Sequence, residues 1–170
     1  MTGKPRTRSA QCRVAISRAI SYFCSVRLVF DTAVMVASIR SDAGASRWLV
    51  RAALEARRVL TPVVSVPLLI EYEAVMTRAE HLRAARISSS DVGLLLDAFA
   101  AMAETTNLDF LWRPILPDAE DEMVFETAVN GRADAIITFN RRDFSPATKY
   151  FGVSVLSPGQ TVQRLEIQTK

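Results

Sequence analysis

At 170 residues, 49% of them hydrophobic and 23% charged, the chain is long enough for one domain with a real core and has the composition of a globular protein. No apolar run reaches the roughly 18–20 residues of a membrane span. The only histidine, His81, excludes most catalytic triads and any histidine-rich zinc site.

The net charge of +3 is unevenly spread: residues 1–27 hold Lys4, Arg6, Arg8, Arg13, Arg18 and Arg27 and no acid, which leaves −3 on the remainder. Residues 1–25 therefore read as a basic extension, either a solvated tail or an arm able to touch nucleic acid. A domain over residues 26–168 follows it. The extension's serine and arginine content is also that of a transit peptide, while Arg13 and Arg18 interrupt its apolar stretch and argue against a secretory signal. Cys12 and Cys24 make no disulfide framework, which points to a reducing cytoplasm.

In chain order, Val26 to Asp31 predicts a first strand, apolar on both faces as in a parallel sheet. A helix over 33–40 follows, then a break at Ser41–Ala45. A second helix over Ser46–Arg58 gathers Trp48, Leu49, Ala52 and Leu54 on one face. Thr61 to Val66 is β-branched and predicts a strand. Pro67 suits an early helical position, and the helix runs to Arg78. Ser88-Ser89-Ser90-Asp91 is a cap signal for a helix over 90–105, whose Val92, Leu95, Leu96, Phe99 and Met102 recur at helical spacing. A short strand is expected at 109–113. Asp118 to Asp121 open a helix that Gly131 ends. Ala135–Thr138 and Val153–Leu156 read as further strands, and Ser157-Pro158 caps a last helix. Strands alternating with helices predict a three-layer α/β/α sandwich around a central parallel sheet.

Acidic residues recur where these strands end, and the crevice at the carboxyl ends of a parallel sheet is where ligands bind. Asp31 closes the first strand, and a lone aspartate there can be a helix cap as readily as a catalyst. A phosphoaspartate nucleophile is a further option, but a dehalogenase-type site wants a second aspartate where this chain has Ala33. Glu71 follows the second strand, with Glu73 expected in solvent. In Asp118-Ala119-Glu120-Asp121-Glu122, acids favour the first turn of a helix through its dipole. Asp121 is nonetheless followed at three, four and seven residues by Val124, Phe125 and Ala128, one buried stripe, and a carboxylate on that face needs a partner. Thr138 and Asn140 can orient waters or carboxylates. Asp143 is either a further acid or a partner for Arg141 or Arg142. Clustered carboxylates make sense with protons or a cation between them. With no histidine or cysteine nearby, the expected cation is hard, Mg²⁺ or Mn²⁺. The chain has no G-x-G-x-x-G or Walker A loop.

Four blocks in this order resemble the PIN-domain ribonucleases, and specifically their toxin branch in toxin–antitoxin systems. The blocks are Leu28-Val29-Phe30-Asp31-Thr32, Ser65 to Arg78 with Glu71, Leu116 to Asp121 with Glu126 and Ala128, and Ala133 to Phe144, and Val153 to Pro158 also fits. The resemblance implies metal-dependent cleavage of single-stranded RNA. It implies Asp31, Glu71 and Asp121 as the main catalytic and metal-binding acids, with Asp118 and, in the Asn140–Asp143 region, Asp143 as further ligands. It leaves Asp134 out, at the opposite end of the sheet. Thr138 and Asn140 would support the ligands, and Arg40, Arg141 and Arg142 would grip RNA. A small antitoxin is implied as partner, and a homodimer is compatible with the pattern. Ala33 departs from the polar residue usual at that place, so a second reading is a weakened PIN domain acting as a binding module.

Overall fold

The computed structural model describes residues 25–55 and 59–168. Residues 1–24, and with them almost all of the expected basic extension and both cysteines, lie outside the described residues. Five strands form one sheet in the order β3-β2-β1-β4-β5, with every neighbouring pair parallel. They are β1 (Val26–Phe30), β2 (Leu60–Val64), β3 (Glu104–Thr105), β4 (Ala135–Ile137) and β5 (Ser154–Leu156). Parallel strands need crossovers, and helices supply them: α1 (Thr32–Arg40), α2 (Ala45–Glu55), α3 (Val66–Met76), α4 (Ala79–Ala85), α5 (Ser89–Met102), α6 (Glu122–Asn130) and α7 (Ser145–Phe151), while α8 (Pro158–Gln168) follows the last strand.

The direction of travel fixes the layers. From β1 the chain steps outward through β2 to β3, then returns to the far side of β1 for β4 and β5. With the right-handed sense that parallel crossovers almost always take, this order assigns α1–α5 to one face and α6–α7 to the other. Both faces of the central strand are consequently covered, and Leu28, Val29 and Phe30 are all buried. Phe30 meets Phe99 of α5 edge to face at 5.6 Å. A second cluster, Trp112, Phe125 and Phe151, joins the 106–121 connection to α6 and α7. The expected α/β/α sandwich with a parallel sheet is what the chain forms.

The local signals act as the sequence suggests in several places. Ser88 and Asp91 make a reciprocal capping box on α5. Pro67 sits in the first turn of α3, and Ser65 caps that helix. Three expectations need correction. No strand forms at 109–113: Phe110 and Leu111 are exposed, and Trp112 turns into the aromatic cluster. The third strand is instead Glu104–Thr105, where α5 ends sooner than expected and the chain pairs with Val63 and Val64. Asp118–Glu120 form turns ahead of α6, whose first helical residue is Glu122. The short helices α4 and α7 were not expected at all; each is too short and too exposed to carry an amphipathic period.

Candidate metal and active site

Strand order reverses between β1 and β4, and the crevice at that switch point is where an open α/β sheet binds ligands. The two strands end together, with the Asp31 N–H donating to the Ile137 carbonyl at 2.9 Å. Asp31 is the N-cap of α1, and its Oδ1 accepts from the Ala33 N–H at 3.2 Å. Its Oδ2 accepts from the Thr138 hydroxyl, one residue past β4, at 2.6 Å. Thr138 is fully buried, and its own Oγ1 accepts the Asn140 N–H at 2.9 Å. The carboxylate is thus held from the first turn of α1 and from the end of β4. Tyr72 of α3 braces the same strand end by donating its buried hydroxyl to the Phe30 carbonyl.

Over this point opens a cleft of about 660 Å³. Asp31, Glu71, Asp118, Glu120, Asp121 and Asn140 line it, and so do Arg40, Arg78 and His81. Glu71 reaches it from α3. Asp121 is the N-cap residue of α6 and makes no side-chain cap bond. Asp118 is tied into its own turn, accepting the Glu120 N–H at 2.9 Å. Asp143 does not line the cleft; it accepts a hydrogen bond from the Asn140 amide beside it. Arg141 and Arg142 are exposed and also stand outside the lining. Glu73 faces solvent, and Asp134 lies at the opposite sheet end, where it accepts the Arg27 N–H at 2.8 Å.

Charge marks the cleft as unbalanced. Burial raises the Asp31 carboxyl above its usual range, against the pull of the Thr138, Ala33 and Thr32 hydrogen bonds. The Asp121 carboxyl is pushed to about 6, first by desolvation and then by the charges of Asp31, Asp118, Asp143 and Glu120. None of these acids makes an ion pair among the described residues. An all-oxygen donor set under mutual repulsion suits a hard divalent cation. As they stand, no three His, Cys, Asp or Glu side chains among the described residues are close enough to hold an ion. The donors therefore share a cleft without forming a closed coordination shell.

Sequence reasoning did not single out Arg78 or His81 for the site, and it named Glu120 only within the acidic run 118–122. Arg78 ends the α3 pattern and His81 lies in the unforeseen α4, so only the fold brings them to the cleft. Glu122 and Glu126 are also acids of this region, but they are structural. Glu122 accepts the Ile115 and Leu116 N–H groups at 2.6 and 2.9 Å. Buried Glu126 is held by the Arg113 guanidinium at 2.8 Å.

An α/β/α sandwich with carboxylates gathered at the β1/β4 switch point belongs to the class of proteins that bind ligands at the carboxyl edge of a parallel sheet. The sequence profile of the PIN domain matches residues 27–142, which spans β1 through β4 and all of the cleft acids. The chain is a member of the PIN-domain family, whose members are typically metal-dependent nucleases. No curated protein matches it.

Proposed function

We propose that this protein is a Mg²⁺- or Mn²⁺-dependent endoribonuclease acting on single-stranded RNA, the cytoplasmic toxin of a toxin–antitoxin pair. One observation carries the reading: four acids from three separate stretches, Asp31, Glu71, Asp118 and Asp121, line one cleft at the switch point, and none of them is ion-paired among the described residues. Asp31, Glu71 and Asp121 would hold the ion, with Asp118 assisting and Asp143 acting from outside the cleft through Asn140. A bound divalent ion would acidify a water and neutralise charge building on the scissile phosphate. Thr138 keeps Asp31 in one rotamer and Asn140 in place. Arg40 would receive the phosphate backbone from the rim, with exposed Arg141 and Arg142 contacting RNA further along it. An antitoxin would silence such a site most simply by inserting a basic side chain among the acids.

The test is cleavage of single-stranded and structured RNA with Mn²⁺, Mg²⁺ or EDTA, beside an Asp31→Asn variant. Metal-dependent cutting that disappears in the variant is the expected result. Cutting that survives undiminished would overturn the assignment.

A further inference from the structure

Phe139 stands between two residues of the site, Thr138 on Asp31 and Asn140 at the cleft, yet it does nothing for the core. Its side chain is 58% exposed, and among the described residues it packs on no other ring. Two residues beyond β4, it presents an aromatic face to solvent. Beside it lies an alcove of about 360 Å³, walled by Ala37, Ser41, Ala45, Pro158 and the ring itself. Ala37 and Ser41 also line the acidic cleft, so the two spaces adjoin along α1 and its C-terminal end. The volume is at the small end of ligand pockets, room for one planar group. Its walls are small and mostly apolar, and carry no charged side chain.

We propose that Phe139 and this alcove form a subsite for one unpaired nucleobase flanking the phosphate in the acidic cleft. The proposal rests on the ribonuclease reading and deepens it: it makes a splayed-out base, stacked on Phe139, the feature by which substrate is gripped. Single-stranded nucleic acid is held by charge along its backbone together with bases stacked on aromatic rings. Arg40 and the acids address the backbone here, and Phe139 addresses the base. Because an apolar wall offers stacking and shape in place of a hydrogen-bond pattern, the subsite accepts any base, with purines favoured by their larger face. Duplex RNA, whose bases are not free to leave the stack, is refused.

The test measures binding of a fluorescent single-stranded RNA to the full chain in EDTA, together with metal-dependent cleavage of the same RNA. Phe139→Ala and Phe139→Leu should weaken binding roughly 5- to 150-fold, the range of a lost base–aromatic stack, and Phe139→Trp should restore it with quenching of the new indole. An RNA with one abasic position next to the cut should lose the same factor in the wild type and nothing more in Phe139→Ala. Unchanged binding by the alanine variant, or equal losses on the abasic RNA in both proteins, overturns the subsite while leaving the nuclease intact. Phe139-dependent binding without any cleavage keeps the subsite and overturns the nuclease. Absence of RNA binding by the wild type overturns both.

Discussion

Thr138 is the residue on which the site's order depends most. Its one hydroxyl donates to Asp31 and accepts from the Asn140 backbone, so it couples β1, β4 and the loop beyond in a dry position. Thr138→Val keeps the shape and removes both bonds. RNA cleavage should fall roughly 10- to 100-fold, as for lost partners of metal-bound carboxylates, while the fold loses about 1 kcal/mol by denaturant titration. Asp121 gives the pH dependence. Its carboxyl titrates near 6 in the fold against an ordinary value of 3.8, so the folded state holds this proton more tightly than the unfolded chain does. The stability it contributes is complete below about 3.8 and drains away as pH rises through about 6. In EDTA, the difference in melting temperature between Asp121→Asn and wild type should therefore grow in the variant's favour from pH 4 to pH 7. A difference independent of pH would mean that neither burial nor the neighbouring acids raise the Asp121 carboxyl.

At the scale of elements, the long connection from β3 to α6 is positioned by buried carboxylates. Glu126 is fully buried on α6 and is gripped by both Nε and Nη2 of Arg113, while Glu122 caps the Ile115 and Leu116 amides. Arg113→Ala leaves a buried charge unpaired and should cost about 3 kcal/mol in urea unfolding, and Arg113→Ala with Glu126→Leu should recover much of it. Loss of the connection's anchorage would also show as weaker metal binding, since Asp118 and Asp121 lie at its end. The elements differ in how plainly the sequence announced them. The sheet was legible because β1, β2 and β4 are short, mostly apolar and β-branched runs, and the Asp121 stripe of Val124, Phe125 and Ala128 is indeed buried. The 109–113 segment misled because Phe110, Leu111 and Trp112 look like a strand, whereas only Trp112 packs inward, against Phe125 and Phe151. The acids at strand ends could be read from order alone. Arg40, Arg78 and His81 as cleft residues could not: they are distant in sequence, and α4, which carries His81, has no buried residue to give it a period.

At the scale of the molecule, the fold stores repulsion where the substrate is to act. An apolar sandwich holds Asp31 and Asp121 close enough to raise each other's energy, and the cost is met by burial of the strands beneath them. A ligand that neutralises these charges must then stabilise the whole domain, by about 2.7 kcal/mol when its concentration is a hundred times its Kd. For a domain of this size that is a rise of roughly 5–10 °C in melting temperature. Mn²⁺ or Mg²⁺ should produce such a rise in the wild type and EDTA should abolish it. Asp31→Asn should melt at or slightly above the metal-free wild type and gain little from either ion. The two arms separate site from surface: a cation that merely screens charge would stabilise variant and wild type alike, and Na⁺ at matched ionic strength would do the same. Equal stabilisation of both proteins would therefore remove the acidic cleft as a metal site and the nuclease reading with it.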